Sequence, residues 1–243
     1  MTGPGLTPAG AAAGPALRLL HVSDLHLEEP GDADQLSVLA ALAADRAAGA
    51  LLIAGDFFDH GRVSDATLRA VAAALGQVPA PVVILPGNHD PFLPGSAYTR
   101  ADLGANVHVL RTPGGETYSP PGLDLDIWGR PHCGYEDFRP MAHVPPRGRA
   151  TWQVAMAHGH LTRGPADLGR AYPIAPAEIA GSGRDYVALG HWDMPFDASS
   201  GPVTAAYSGS PSRVGSCALT TLRLAPDGRR QVCVEQLKVT RAG

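Results

Sequence analysis

Short apolar runs alternate with longer mixed stretches along the first third of the chain. Leu17 to Val22, Leu51 to Ala54 and Val82 to Leu85 are almost wholly apolar, and between them apolar residues recur every three or four positions. The runs are too short for helices and read as buried strands. The mixed stretches read as amphipathic helices over Asp32 to Ala48 and Ser64 to Leu75. Asp32 or Asp34 can cap the first helix and Gly49 can stop it; Ser64 caps the second and Gly76 stops it. The order is β-α-β-α-β. Strands apolar throughout fit a sheet covered on both faces.

Beyond Asp90 the pattern loosens. Strands are expected at Val107 to Leu110, Leu125 to Trp128, Gln153 to Ala157, Asp185 to Leu189 and Val203 to Tyr207. Pro140 to Arg149 reads as a loop. Residues 162–184 form a Gly/Pro-rich stretch with a short helix near Pro176 to Ala180. Two closing strands, Ala218 to Leu224 and Gln231 to Val239, flank Pro226-Asp227-Gly228, a hairpin turn. No repeat or linker interrupts this, so residues 17–243 are expected to form a single domain behind a disordered tail, 1–16.

Composition narrows the classes. The chain's 243 residues suffice for one large core, and a net charge of −4 advertises no polyanion partner. Bound cations or a local basic patch can override that average. Three widely spaced cysteines form no CxxC pair, which argues against a disulfide framework. No apolar run approaches the ~20 residues of a membrane span. The uncharged first residues lack a secretory n-region. A cytoplasmic location without membrane attachment is expected.

The strand ends carry the chemistry. Asp24 and His26 follow the first strand, Asp56 and Asp59 the second, and Asn88, His89 and Asp90 the third; His158 and His160, then His191 and Asp193, follow later strands. Open α/β sheets bind ligands outside the carboxyl ends of their strands. Imidazole and carboxylate without thiolate suit zinc, iron or manganese. Two metals about 3.5–4 Å apart need one bridging carboxylate with ligands on both flanks, and this inventory is sufficient.

Asp24-Leu25-His26, Gly55-Asp56-Phe57-Phe58-Asp59, Gly87-Asn88-His89-Asp90, His158 and Gly190-His191-Trp192-Asp193 stand in an order that resembles the calcineurin-like metallophosphoesterases. The resemblance covers residues 17 to about 215. It implies an α/β fold, a four-layer α-β-β-α sandwich of two packed mixed sheets flanked by helices. It also implies a phosphoric ester hydrolase with two divalent metal ions, manganese first, with iron, zinc or magnesium as alternatives. Asp24, His26 and Asp56 would hold the first metal. Asp56 would bridge to the second, held also by Asn88, His158 and His191. His89 would be the general acid or phosphate-stabilising group, oriented by Asp90. A metal-activated hydroxide would attack phosphorus in line.

The family pattern ends G-H-x-H, whereas this chain has Asp193 in the last position. Either Asp193 supplies an oxygen ligand, which would favour manganese or magnesium, or it points away and weakens the first metal. His160 is the alternative to His158 as a ligand. Trp192 would stack on a base or merely cover the site. Arg130 and Arg213 are candidate phosphate contacts, with plain surface roles as the alternative. Asp59 reads as structuring its loop rather than as a ligand, and His21 as packed or hydrogen-bonded within its strand.

Residues 22–27, 186–191 and 207–213 resemble the DNA-repair nuclease branch of the SbcCD nuclease subunit. Its capping domain and helical tail do not fit in residues 216–243. The expectation is a phosphodiesterase, nuclease-like, acting on a phosphoester substrate, with nucleic acid or a nucleotide as partner. The alternatives are a small-molecule phosphoesterase for a nucleotide or metabolite, and a degenerate metal-binding member. The oligomeric state is left open.

Overall fold

Each short apolar run becomes a strand whose side chains alternate between two different cores. The structure, a computed structural model, describes residues 16–240 apart from position 168. The expected tail therefore lies, except for Ala16, outside the described residues. The first half contains β1 (Leu17–Val22), α1 (Asp34–Asp45), β2 (Ala50–Ala54), α2 (Asp65–Leu75), β3 (Val82–Leu85), α3 (Ala97–Arg100) and β4 (Val107–Val109). The middle contains β5 (Glu116–Tyr118), β6 (Leu125–Gly129), β7 (Trp152–His158), β8 (His160–Leu161), β9 (Pro173–Ile174) and α4 (Pro176–Ala180). The last part contains β10 (Tyr186–Gly190), β11 (Phe196–Asp197), β12 (Thr204–Tyr207), β13 (Ser216–Leu224) and β14 (Arg230–Lys238).

These form two six-stranded mixed sheets, in the orders β14-β13-β1-β2-β3-β4 and β11-β12-β10-β7-β6-β5, with a small β8-β9 pair beside them. β1 to β4 are parallel and β13 closes against β1 antiparallel. In the second sheet β6, β7, β10 and β12 are parallel, with antiparallel β5 and β11 at the edges.

The alternation sorts the side chains into layers. Leu20, Val22, Leu51, Ile53, Val82 and Ile84 pack under Leu36 and Leu39 of α1 and Leu68 and Val71 of α2. Their neighbours Leu19, Leu52, Val83 and Leu85 point the other way, onto Ile127, Val154, Met156 and Ala188 of the second sheet. The far face of that sheet, including Ala155, Ala157, Val187 and Leu189, is covered by Met141, Leu161 and Ile179. Burying one such side chain is worth roughly 1.5–3 kcal/mol. A one-residue slip would exchange the two faces of a strand, so the register is strongly held. His21 crosses the sheet interface, with Nδ1 2.8 Å from the Tyr186 hydroxyl.

Most boundaries follow the sequence pattern, including the Ser64 cap, whose Oγ accepts from Thr67 N at 3.1 Å. The first helix does not. Residues Pro30–Ala33 form a 3-10 turn, and the Asp32 carboxylate accepts from the Glu28 and Glu29 amides at 2.9 Å instead of capping α1. The helix ends at Asp45, and the chain turns at Ala47, with φ 48, rather than at Gly49. The Gly49 amide already bonds the Arg18 carbonyl at 2.7 Å, which ties it beside β1. Elements α3, β5, β8, β9 and β11 span two to four residues each, too few to show a period. Among the described residues no helix is long and apolar enough to cross a membrane.

Candidate metal centre

The parallel strands β1, β2, β3, β7 and β10 all deliver their carboxyl ends to one edge of the paired sheets. The loops after β1 and β2 run together, with Asp24 N on Gly55 O, His26 N on Asp56 O and Leu27 N on Phe57 O, each at 3.0 Å. Asp24, His26, Asp56 and His191 all have positive φ, at 55, 50, 49 and 104°. Side chains other than glycine rarely adopt that conformation, and it persists only where surrounding contacts enforce it. Two glycines let the loops meet. A Cβ at Gly190 would lie 1.8 Å from the Ala54 carbonyl oxygen, and one at Gly87 would lie 2.1 Å from Asp56 Oδ1.

Three overlapping groups of donors result. Asp24, Asp56 and His158 lie within 4.8 Å of one another through single donor atoms; so do Asp24, His26 and Asp193, and His26, Asp56 and His89. Asp24, His26 and Asp56 each belong to two groups. His158 is sealed from solvent. Its Nδ1 lies 2.9 Å from the Ala54 carbonyl, while Nε2 faces Asp56 Oδ2 at 3.2 Å and Asn88 Oδ1 at 3.0 Å. His191 Nδ1 approaches the same Asn88 oxygen at 3.1 Å, and its amide donates to Asp24 Oδ2 at 3.0 Å.

The electrostatics fit a cation. Burial raises the Asp24 carboxyl, against the pull of His158 and with a further push from Asp56. Burial also works against ionised Asp56, but the His158 imidazole and the His89 amide hold it below the usual carboxylate range. Burial opposes charge on His158, yet the Asp56 carboxylate lifts the imidazole to about 9. Burial, then His158, push His191 down to about 4. Oxygens of Asp56 and Asn88 thus converge on a nitrogen that needs a proton between them, and a divalent cation can replace that proton. Among the described residues no Lys or Arg pairs with Asp24 or Asp56.

The remaining candidates separate. Asp193 sits with Asp24 and His26, and its Oδ1 is 3.5 Å from Arg213 Nε. Asp90 does not reach the His89 ring. It is buried, and accepts from Gly87 N, Phe58 N and the Tyr98 hydroxyl at 2.7, 2.9 and 2.5 Å. The residue beside His89 is Asp59, whose carbonyl oxygen lies 3.0 Å from His89 Nδ1 and whose carboxylate is 3.0 Å from His26 Nδ1. His160 lies outside all three donor groups and bonds Asp167 at 3.1 Å. Trp192 stacks on Tyr207, with ring centroids 4.9 Å apart at 15°. Arg130 lies over Phe138 and donates to the Pro113 carbonyl.

Two contributors were not singled out from sequence. Ser210 donates to the Asp24 carbonyl oxygen at 2.6 Å and its amide to Asp193 O at 2.8 Å. His132, buried, lies with Nε2 3.0 Å from the carbonyl oxygen of His158. Ser210 lies in the 207–213 run that resembles the nuclease branch, but its contact with Asp24, 186 residues away, left no local sign; His132 lies outside every motif.

Imidazoles and carboxylates gathered at the carboxyl edge of two packed mixed sheets define a candidate divalent-cation site in an α/β sandwich. Residues 17–194 match the family model described as calcineurin-like phosphoesterase. The chain belongs to that family, whose members are dimetal-dependent phosphoric ester hydrolases. Among solved structures, TT1561 of Thermus thermophilus is similar at TM-score 0.57 and 15% identity, covering 93% of this chain and 100% of that one. The NAD nucleotidase of Haemophilus influenzae is similar at TM-score 0.55 and 12% identity, covering 92% of this chain and 56% of that one. This chain thus spans little more than half of the nucleotidase's length. A search of curated protein sequences gives no match.

Proposed function

We propose that the protein hydrolyses phosphodiesters at a two-cation centre held by Asp24, His26, Asp56, Asn88, His158, His191 and Asp193. The observation that carries this is the overlap of the donor groups, in which Asp24 and Asp56 are shared between neighbouring positions. Two divalent cations, manganese first, would supply Lewis-acid charge for phosphoryl oxygens and would acidify a water there. Asp193 takes the place of the family's last histidine as an oxygen donor, beside Asp24 and His26.

The chain's own groups do the rest. The His89 side chain is nearly half exposed and is held at Nδ1 by the Asp59 carbonyl, which leaves Nε2 for the leaving oxygen. Proton transfer from a positioned imidazole contributes roughly 10²–10⁴-fold. Asp59 fixes the tautomers of His26 and His89 together, while Asp90 fixes the backbone beneath them. Arg213 faces solvent beside Asp193 and offers its guanidinium to a phosphoryl oxygen.

The preference for diesters rests on the resemblance of residues 186–191 and 207–213 to the DNA-repair nuclease branch. A nucleotide substrate is the second reading, supported by the fold likeness to an NAD nucleotidase. Turnover of bis(p-nitrophenyl) phosphate against p-nitrophenyl phosphate, with manganese added, separates them. Faster diester cleavage is expected; faster monoester cleavage overturns the diester reading, and no turnover with any divalent metal overturns the enzymatic one.

A further inference from the structure

Arg163, in the loop after β8, is held in place without a carboxylate partner. Its guanidinium carbon lies 5.0 Å from the centre of the Trp192 ring and 5.0 Å from that of Phe196. Tyr207 stacks on Trp192, so the arginine takes the other face. The backbone is tied into the same assembly. Arg163 N donates to Asp167 Oδ2 at 2.7 Å, the other oxygen of Asp167 lies 3.1 Å from His160 Nε2, and Trp192 Nε1 donates to His160 Nδ1 at 3.3 Å. A closed circuit therefore runs from the Arg163 backbone through Asp167, His160 and Trp192 back to the Arg163 side chain.

The His160 ring, to which Trp192 donates, lies 6.4 Å from the His191 ring, so this cation stands at the rim of the metal centre. Of the other arginines there, Arg139 is engaged by Glu178 and Arg130 by backbone carbonyls, while Arg213 stands beside Asp193 at the cleaved phosphate's side. Among the described residues no carboxylate pairs with the Arg163 guanidinium, which is exposed. Stacking uses the face of a guanidinium and leaves its donor edge open, and that edge matches two phosphate oxygens at once. Because the rings already order the side chain, little rotamer freedom remains to be lost on binding.

We propose that Arg163 binds a second phosphate of the substrate, adjacent to the one cleaved, and so selects nucleotides or oligonucleotides over simple diesters. This rests on the phosphodiesterase reading above. A bare aromatic platform would attract a neutral base equally well; a cation laid on that platform favours an anion.

Dithymidine phosphate, unphosphorylated or carrying a terminal 5′- or 3′-phosphate, tests this in the manganese-loaded protein. One phosphorylated form should be preferred in kcat/KM, and Arg163→Gln should cut that preference about tenfold. Arg163→Lys, which keeps the charge but not the fork, should retain part of it. No preference in the wild type, or the same preference in Arg163→Gln, overturns the proposal. Should the wild type cleave none of these, the phosphodiesterase reading falls separately, and calorimetric titration of the same three compounds decides Arg163. Tighter binding of a phosphorylated form that is lost in Arg163→Gln supports the assignment, and equal affinities overturn it.

Discussion

The two flanks of Asp24 are built differently. On one side Asp56 and His158 are buried, every polar atom of the His158 ring has a partner, and the ring bridges the two sheets through the Ala54 carbonyl. On the other side His26 and Asp193 are partly open to solvent, and Asp193 also faces an exposed arginine. The difference lies in what supports each flank. His158 ends a seven-residue strand buried throughout, whereas Asp193 sits in a loop tied down by the Ser210 amide. On the proposed reading, a cation on the buried side would meet a dry, packed cage, and one on the open side would meet partly exposed ligands and a guanidinium that competes for one of them.

Comparing Asp56→Asn with Asp193→Ala tests that contrast most strongly. Asp56→Asn should remove metal from both positions and lower turnover on the order of 10³-fold, because its carboxylate is shared. Asp193→Ala should lower metal content on one side only and cost about tenfold in activity, within the range of weaker ligand contacts. Metal analysis after dialysis checks both. Equal stoichiometry in the two variants would abolish the distinction between the flanks.

Gly190→Ala probes the rigid flank. Its added methyl has no space against the Ala54 carbonyl. A loss of about 3 kcal/mol in unfolding free energy by urea titration is expected. A loss below about 1 kcal/mol would mean that the buried cage is softer than its packing implies.

The smallest effect at neutral pH concerns acid. Burial holds His21, between the sheets, down at about 3. The unfolded chain protonates this histidine below its ordinary value near 6.5 while the folded one does not. The stability it contributes is therefore complete above about pH 6.5 and declines as pH falls towards 3. Replacing His21 with Gln should flatten the stability curve between pH 4 and 6 by up to about 1.4 kcal/mol per pH unit. An unchanged slope would place the acid sensitivity elsewhere, in the carboxylates of the centre.

Local signals in the chain determined the five parallel strands that carry the donors, the second helix with its Ser64 cap, the closing hairpin and the motif residues from Asp24 to Asp193. Those are properties of short windows: a run of four to six mostly apolar residues bounded by turn formers is too short for a helix and reads as a covered strand, and a polar residue just beyond it falls at the sheet's edge. The tertiary structure alone decided how these ends meet. Asp90 adjoins His89 in sequence and Asp59 stands 30 residues away, yet the packing of Tyr98 and Phe58 turns Asp90 inward and leaves Asp59 at the imidazole. His158 ends β7 and His160 opens β8; the Ala54 carbonyl holds the first in the centre, while Asp167 and Trp192 draw the second out to the rim. Such choices depend on contacts between residues far apart in the chain, where no local pattern records them.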